Sequence, residues 1–383
     1  MAKKKFFIVT TIANSLGFFR GQLKMLEKTF DVCAIASMPD LLKRYGETEG
    51  IGTHCIPMKR PISFFWDIWC LLCFIIFFLR ERPYIVHGNT PKGGMLSMVA
   101  AWFTRCPVRI YMCHGLRYQG AEGRLRKLLI LMERLSCACA TDVLCVSHGV
   151  VDTLVKDRIC SAAKARVIGY GSANGINLER FDPESVDGTR IRRELGILDE
   201  DFVFCFVGRI LKDKGVDELI TAFHRLSEEY GHIHLLLVGP HENDQNPVSD
   251  ETLRLMESNK CIYVLGRQSD IRPYVKASNA FVLGSYREGF GMVLIEAGAL
   301  GVPGITTNII GCNEIIVPGK NGDIVEPRNT EQLYGKMKEW VLHPEKVAAM
   351  AVNARRMVKD RFEQSQVWAL YLEEYKKLVG EEF

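Results

Sequence analysis

The chain runs through one pattern twice: a short apolar run ending in small or polar residues, then a stretch with helical spacing, then another apolar run. In the first half the runs are KFFIVTTI (5–12), DVCAIAS (31–37), YIVHGN (84–89), RIYMCHG (109–115), DVLCVS (142–147) and ARVIGYG (165–171). GFFRGQLKMLEKT (17–29), PDLLKRYGETEG (39–50), GGMLSMVAAWFT (93–104) and RKLLILMERLSCACA (126–140) read as the helices between them. Strands this uniformly apolar, alternating with helices, imply a parallel sheet buried on both faces. Ligand groups in such a sheet gather at the carboxyl ends of the strands.

The pattern breaks at GSANGINLERFDPESVDG (171–188), a polar, turn-rich segment, and then restarts. DFVFCFVGRI (201–210), HIHLLLVGP (232–240), IYVLG (262–266), AFVLGS (280–285), GITTN and DIVEP read as strands. GVDELITAFHRLSEEY (215–230), DIRPYVKAS, Met292 to Leu300 and segments from 330 onward read as helices. A chain of 383 residues exceeds one typical domain and suits two. The expected fold is therefore α/β: two Rossmann-like, doubly wound parallel-sheet domains facing a central cleft. The expected spans are 1–172 and 173–362, with a helix at 363–383 packing back on the first domain.

The net charge of +4 conceals a polarity: residues 1–170 hold 24 Lys+Arg against 12 Asp+Glu, and the remainder 25 against 33. One half is thus suited to an anionic partner. It carries no helix-turn-helix, zinc-finger or RNP pattern, so nucleic acid is not expected. A membrane surface fits two segments better. FFWDIWCLLCFIIFFLRER (64–82) is strongly apolar, but Asp67 interrupts it and only Ile68 to Leu79 is unbroken. That is short of the roughly 20 residues of a spanning helix; it reads either as a buried core helix or as a helix lying in the membrane interface. In RYQGAEGRLRKLLILMERL, Arg117, Arg124, Arg126, Lys127 and Arg134 alternate with leucines at helical spacing, as in a solvated helix or a membrane-facing one. The expected location is cytoplasmic, peripheral to the inner face of the cell membrane.

The 13 cysteines are odd in number, scattered and mostly inside apolar runs, which reads as reduced, buried thiols. MAKKKFFIVTTIA passes straight into a strand rather than a signal peptide. CLLC and CAC lack a second ligand pair at zinc-site spacing, so neither a metal nor a cofactor is expected.

Two loops carry the chemistry. FVGRILKDKGVDELI puts Gly208, Arg209, Lys214 and Gly215 between a strand and a helix, where two cations suit a diphosphate. REGFGMVLIEAGALGVP places Glu288 just before a glycine-rich turn and Glu296 one helical turn beyond it. Amides at a helix start favour phosphate, and a carboxylate can accept from the vicinal hydroxyls of a ribose. Read alone, the first loop also fits a solvated turn and Glu296 an exposed helix glutamate. No GxxxxGK[ST] and no strand-anchored GxGxxG is present, which disfavours nucleotide hydrolysis and dinucleotide binding.

Five motifs in order carry a resemblance: NGIN…RF at 174–181, GR…KG at 208–215, LGRQSDIRPYVKASNAFVLGS at 265–285, the E-x7-E of Glu288 and Glu296, and GCNEII…G.NG at 311–322. They resemble the family-four retaining glycosyltransferases of the GT-B fold over nearly the whole chain. GNTPKGGMLSMVAA and HGLRYQG look most like bacterial enzymes that extend a sugar on a polyprenyl diphosphate for glycan or capsule assembly. The resemblance implies a nucleotide-sugar donor, UDP-linked by family habit, and a lipid-linked saccharide acceptor, with no metal. It assigns Arg209 and Lys214 to the donor diphosphate and the amides of Gly289, Phe290, Gly291 and Met292 to donor sugar and phosphate. It gives Glu288 the donor-sugar hydroxyls, Glu296 the ribose, and Arg267 and Gln268 the border of the base. It puts Gly17 in a donor-facing loop, His114 beside the reacting sugar, and Lys92 with Arg117, Arg124, Arg126 and Lys127 toward acceptor and membrane. The family's usual glycine pair is here the single Gly17. Two other classes share these features: a nucleotide-sugar epimerase, which needs no acceptor, and a non-catalytic membrane-associated scaffold.

Overall fold

The protein was analysed as a computed structural model that describes residues 2–241 and 246–380. Met1 and the last three residues of the expected terminal helix, 381–383, lie outside the described residues. The chain divides into two compact units, one running to Gly175 and resuming at Ser365, the other spanning Ile176–Gln364.

The first unit is built on strands β1 (Lys5–Ile12), β2 (Asp31–Ser37), β3 (Gly52–Cys55), β4 (Ile85–Asn89), β5 (Val108–Cys113), β6 (Asp142–Cys145) and β7 (Ala165–Val167). They pair in the order β3-β2-β1-β4-β5-β6-β7, every pair parallel. Strand order reverses beside β1, so the crevice for a ligand lies at the carboxyl ends of β1 and β4. Phe6, Ile8, Val9, Ile35, Ile85, Val86 and Ile110 form its buried centre.

The second unit holds β8 (Phe202–Val207), β9 (Ile233–Val238), β10 (Ile262–Gly266), β11 (Ala280–Leu283), β12 (Gly304–Thr307) and β13 (Gly322–Val325). Its all-parallel order is β10-β9-β8-β11-β12-β13, and the reversal falls between β8 and β11. The strands FVFCFV and AFVL are buried at every position, as central strands must be.

Three expectations change. The helix expected over 17–29 is a 3₁₀ turn at Ala13–Phe19 followed by a short helix at Gln22–Leu26, because Gly21 sits at φ +80° and interrupts helical geometry. GTHC forms an edge strand that its sequence does not announce. The apolar segment at 64–82 is one helix, Phe64–Glu81, that is neither fully buried nor fully exposed. Asp67, Cys70, Phe74 and Phe78 form its inner stripe, while Phe65 (85% exposed), Ile76 (67%) and Trp69 (56%) face outward.

After Ser365 the chain returns to the first unit within helix Gln364–Leu378. The Tyr371 hydroxyl donates to the Ser172 carbonyl at 2.9 Å, and Trp368 Nε1 donates to Asn174 Oδ1 at 2.6 Å. Arg166 lies between Asp142 and Glu374.

Candidate active site

In the second unit the chemistry sits where the sheet changes direction. Gly208 and the exposed Arg209 leave the end of β8, and a 3₁₀ turn at Lys212–Lys214 leads to helix Val216–Glu229. From the neighbouring end of β11, Ser285 to Gly291 form the turn into helix Met292–Ala299. Gly215, at φ +68°, lets the two loops touch: a Cβ there would come within 1.9 Å of the Gly284 carbonyl oxygen.

That contact brings together residues 74 positions apart. Lys214 Nζ donates to Glu288 Oε1 at 2.6 Å, and the Ser285 hydroxyl donates to the same oxygen at 3.0 Å. Asp213 braces the other loop, accepting from Arg287 at 2.8 Å through its side chain and from the Tyr286 amide at 2.9 Å through its carbonyl. Arg287 helps hold the Asp213 carboxyl below its ordinary range, against the burial that would raise it. Lys214 and Glu288 are only partly covered, so the ion pair stays open to a ligand on one side.

Glu296 lies one turn into the helix, half-buried. Burial raises its carboxyl to about 7, while the positive charge of Arg180 pulls it down. Arg180 belongs to the NGIN…RF segment, which the sequence reading marked without giving this arginine a role. Two of the amides expected to meet the donor are engaged within the protein: Gly291 N–H donates to the Gly311 carbonyl at 3.4 Å, and Met292 N–H to the Phe290 carbonyl at 2.9 Å. The Phe290 ring points inward against Phe362, with centroids 5.5 Å apart. Arg267 is exposed, and Gln268 donates to the Leu265 carbonyl at 2.7 Å. Gln268 also lines a cavity of about 460 Å³ with Asp187, Arg190, Arg272 and Tyr274.

In the first unit, Gly17 and His114 meet through aromatic rings. Phe18, next to Gly17, stacks on His114 with centroids 5.0 Å apart, and Phe19 meets the same ring edge-on at 6.0 Å. His114 Nε2 and Asn89 Oδ1 are 3.0 Å apart. Burial takes the His114 imidazole down to about 4, so the ring is neutral at physiological pH. Thr90 holds φ +63°, a costly conformation for a β-branched residue, and its Oγ1 accepts from the Thr11 amide at 3.1 Å.

Lys92 departs from expectation. It is buried, with its ammonium 2.7 Å from Asp67 Oδ1 and also donating to the Pro61 carbonyl, so its charge neutralises an internal carboxylate instead of facing an acceptor. The same pair explains why an aspartate interrupts so apolar a helix. Arg117, Arg124, Arg126 and Lys127 are all exposed. Asn89, Phe18, Arg180 and Ser285 are the neighbours that the sequence reading missed.

Two parallel Rossmann-like sheets, each with its polar loops at the reversal of strand order, define the GT-B class. Anabaena Alr3699/HepE, solved in complex with UDP, superposes with a TM-score of 0.81 at 18% identity, covering 98% of this chain and 100% of that one. Residues 187–357 match the family described as Glycosyl transferases group 1, and residues 23–180 match Glycosyltransferase Family 4. The capsular polysaccharide biosynthesis glycosyltransferase CapM of Staphylococcus aureus is 34% identical over 370 residues, 96% of both chains. The UDP-Gal:alpha-D-GlcNAc-diphosphoundecaprenol alpha-1,3-galactosyltransferase of Escherichia coli is 26% identical, over 87% of this chain and 85% of its own. The chain belongs to this family of glycosyltransferases.

Proposed function

We propose that this glycosyltransferase moves a hexose or N-acetylhexosamine from a UDP-sugar to a saccharide carried on a polyprenyl diphosphate, with retention, during assembly of a cell-surface polysaccharide. The observation that carries the reading is the pairing of Lys214, on the loop that Arg209 opens, with Glu288 at the ends of β8 and β11. It sets cationic and sugar-binding groups side by side, as a glycosyl diphosphate requires. The names of relatives support the acceptor: the Escherichia coli enzyme and an N,N'-diacetylbacillosaminyl-diphospho-undecaprenol transferase of Campylobacter jejuni, 26% identical over 77% of this chain, both specify diphosphoundecaprenol sugars.

In the proposed reaction the bond from the sugar's anomeric carbon to the diphosphate oxygen breaks. The acceptor hydroxyl oxygen bonds to that carbon on the same face, and its proton passes to the departing diphosphate. Arg209 and Lys214 stabilise the negative charge as it develops, without a metal, and Glu288 and Glu296 hold sugar and ribose hydroxyls. Because Arg209 and Lys214 are proposed to carry the leaving-group charge, turnover is expected to survive chelation by EDTA.

The enzyme works at a membrane surface in this reading. Helix Pro91–Phe103 packs against both Phe64–Glu81 and Gly123–Cys139, and the outward apolar side chains of all three join exposed Arg124, Arg126, Lys127 and Arg134. No helix among the described residues is long and apolar enough to cross a membrane. A surface that is both greasy and basic suits anionic lipid.

The direct test is Arg209→Ala, assayed as UDP release from UDP-galactose, UDP-glucose and UDP-N-acetylglucosamine with a short-chain prenyl-diphosphate sugar as acceptor. Loss of one preorganised group of this kind costs about 10²–10³ in kcat. Unchanged turnover in a folded variant would refute the assignment.

A further inference from the structure

A buried polar chain runs behind His114 in the first unit. The Asn89 side-chain amide nitrogen donates to the carbonyl of His87 at 3.1 Å and faces His87 Nδ1 at 3.0 Å. On the other side, Asn89 Oδ1 faces His114 Nε2 at 3.0 Å. His87 Nε2 lies 3.2 Å from the Tyr375 hydroxyl. His87, Asn89 and Tyr375 are essentially sealed from solvent.

Backbone fixes which way this chain points. The His87 carbonyl can only accept, and it belongs to β4, which is held in register by β1 and β5. Flipping the Asn89 amide would set its oxygen against that carbonyl, two acceptors face to face in a buried site. The amide nitrogen therefore stays toward His87 and the amide oxygen toward His114. A carbonyl oxygen in contact with Nε2 requires the proton on Nε2. By the same reasoning His87 accepts at Nδ1, carries its proton on Nε2 and donates to Tyr375. The remaining nitrogen of His114, Nδ1, has no hydrogen-bond partner among the described residues and is not among the buried unpaired atoms. The stacked Phe18 and the edge of Phe19 hold the ring's plane.

We infer that Asn89 is a positioning residue that locks His114 in the Nε2–H tautomer and presents Nδ1 as a lone pair for a saccharide hydroxyl. The lock stands on geometry alone; the hydroxyl rests on the function proposed above. A neutral ring with a lone pair at its open nitrogen accepts from O–H or N–H groups and repels phosphoryl or carboxylate oxygens. His114 thereby discriminates sugar hydroxyls from phosphoryl oxygens.

The tautomer is read directly from long-range ¹H–¹⁵N correlation spectra of the intact protein labelled at histidine. The wild-type His114 signal is expected to show a protonated Nε2 and a bare Nδ1, and the opposite pattern overturns the inference without any variant. In Asn89→Ala the signal should move to a mixture of tautomers, with kcat down about 10–100-fold and the KM for the UDP-sugar near its wild-type value; an unchanged tautomer overturns it. Adding UDP-galactose, UDP-glucose or UDP-N-acetylglucosamine, and separately a short-chain prenyl-diphosphate sugar, tells which substrate brings the hydroxyl. The Nδ1 resonance should respond to one of them and not to UDP, and a resonance unmoved by all overturns the second half of the inference. Full turnover in His114→Ala with the expected wild-type tautomer would instead sink the proposed role of the ring and leave the lock standing.

Discussion

Glu296, proposed to hold the ribose, has a charge state set by its surroundings. Its carboxyl titrates near 7 because the surroundings remove water and Arg180 offsets only part of that cost. A grip on vicinal hydroxyls uses the ionised form, which accepts at both oxygens. The free protein is mostly protonated there below about 7, so binding a nucleotide must expel the proton. At pH 6 binding of UDP-glucose, whose esterified diphosphate has no group titrating in this range, should release close to one proton, and at pH 8.5 almost none; calorimetry in two buffers of different ionisation enthalpy measures the difference. Glu296→Gln should abolish the release and weaken binding by about tenfold or more, since hydrogen bonds to a charged group are worth about 1.5–3 kcal/mol. Proton uptake at pH 6, or the same release in the variant, would contradict this role. Gly17 makes a contrasting case. A Cβ at Gly17 would meet no atom within 4 Å, so the fold does not require glycine there. Gly17→Ala should therefore leave the melting temperature within a degree or two and lower kcat/KM by about tenfold or more, because the methyl would occupy space that a ligand needs. Wild-type activity would show that the loop lies away from substrate.

Among the elements, helix Phe64–Glu81 shows what sequence could and could not reveal. Its apolar length excluded a spanning helix, but the choice between core and interface depended on which stripe packs inward. That is decided by Phe7 stacking on Phe77 and meeting Phe78, and by Asp67 held to Lys92, contacts made with distant segments. Helix Gly123–Cys139 adds Leu125, Leu128, Leu131 and Leu135 outside and Leu129 and Met132 inside. We expect Phe65→Ser with Ile76→Ser to reduce flotation with phosphatidylglycerol vesicles about tenfold or more, since each side chain forfeits about 1.5–3 kcal/mol of apolar burial. Arg124→Gln with Lys127→Gln should cost about 1 kcal/mol per charge and remove part of the salt dependence. Vesicle binding untouched by both pairs would mean that this face does not dock on lipid. The strands were legible because central parallel strands are apolar throughout, as in FVFCFV. Their ends were overrun because GRI after β8 and HG after β5 continue the pattern in residues that the site uses. The edge strand GTHC has no buried position and so left no signal. The pairing of Lys214 with Glu288 was not legible either: motifs place each residue on its loop, but only the approach of Gly215 to Gly284 brings the loops together.

The whole chain is two units of unequal continuity, and that asymmetry has a consequence. Ile176–Gln364 is unbroken in sequence, whereas the first unit needs the segment from Ser365 onward to be complete. Tyr371 and Tyr375 are almost wholly buried in the first unit, and without them the Ser172 carbonyl loses the Tyr371 hydroxyl and His87 Nε2 loses the Tyr375 hydroxyl. Removing that helix exposes apolar surface and strands buried polar groups at once, costs that sum to several kcal/mol, comparable with the entire stability of a domain. Arg209, Lys214, Glu288, Glu296 and Arg180 all lie within the continuous unit. A fragment of residues 176–364 should therefore fold cooperatively and gain melting temperature with UDP but catalyse no transfer, while residues 1–175 expressed alone should be insoluble or molten. Adding a separate peptide covering 365–383 should restore cooperative unfolding to the first fragment. A fragment 176–364 that folds yet ignores UDP would mean that nucleotide recognition is not assembled by the loops of β8 and β11, and the roles proposed for Lys214 and Glu288 would fall with it.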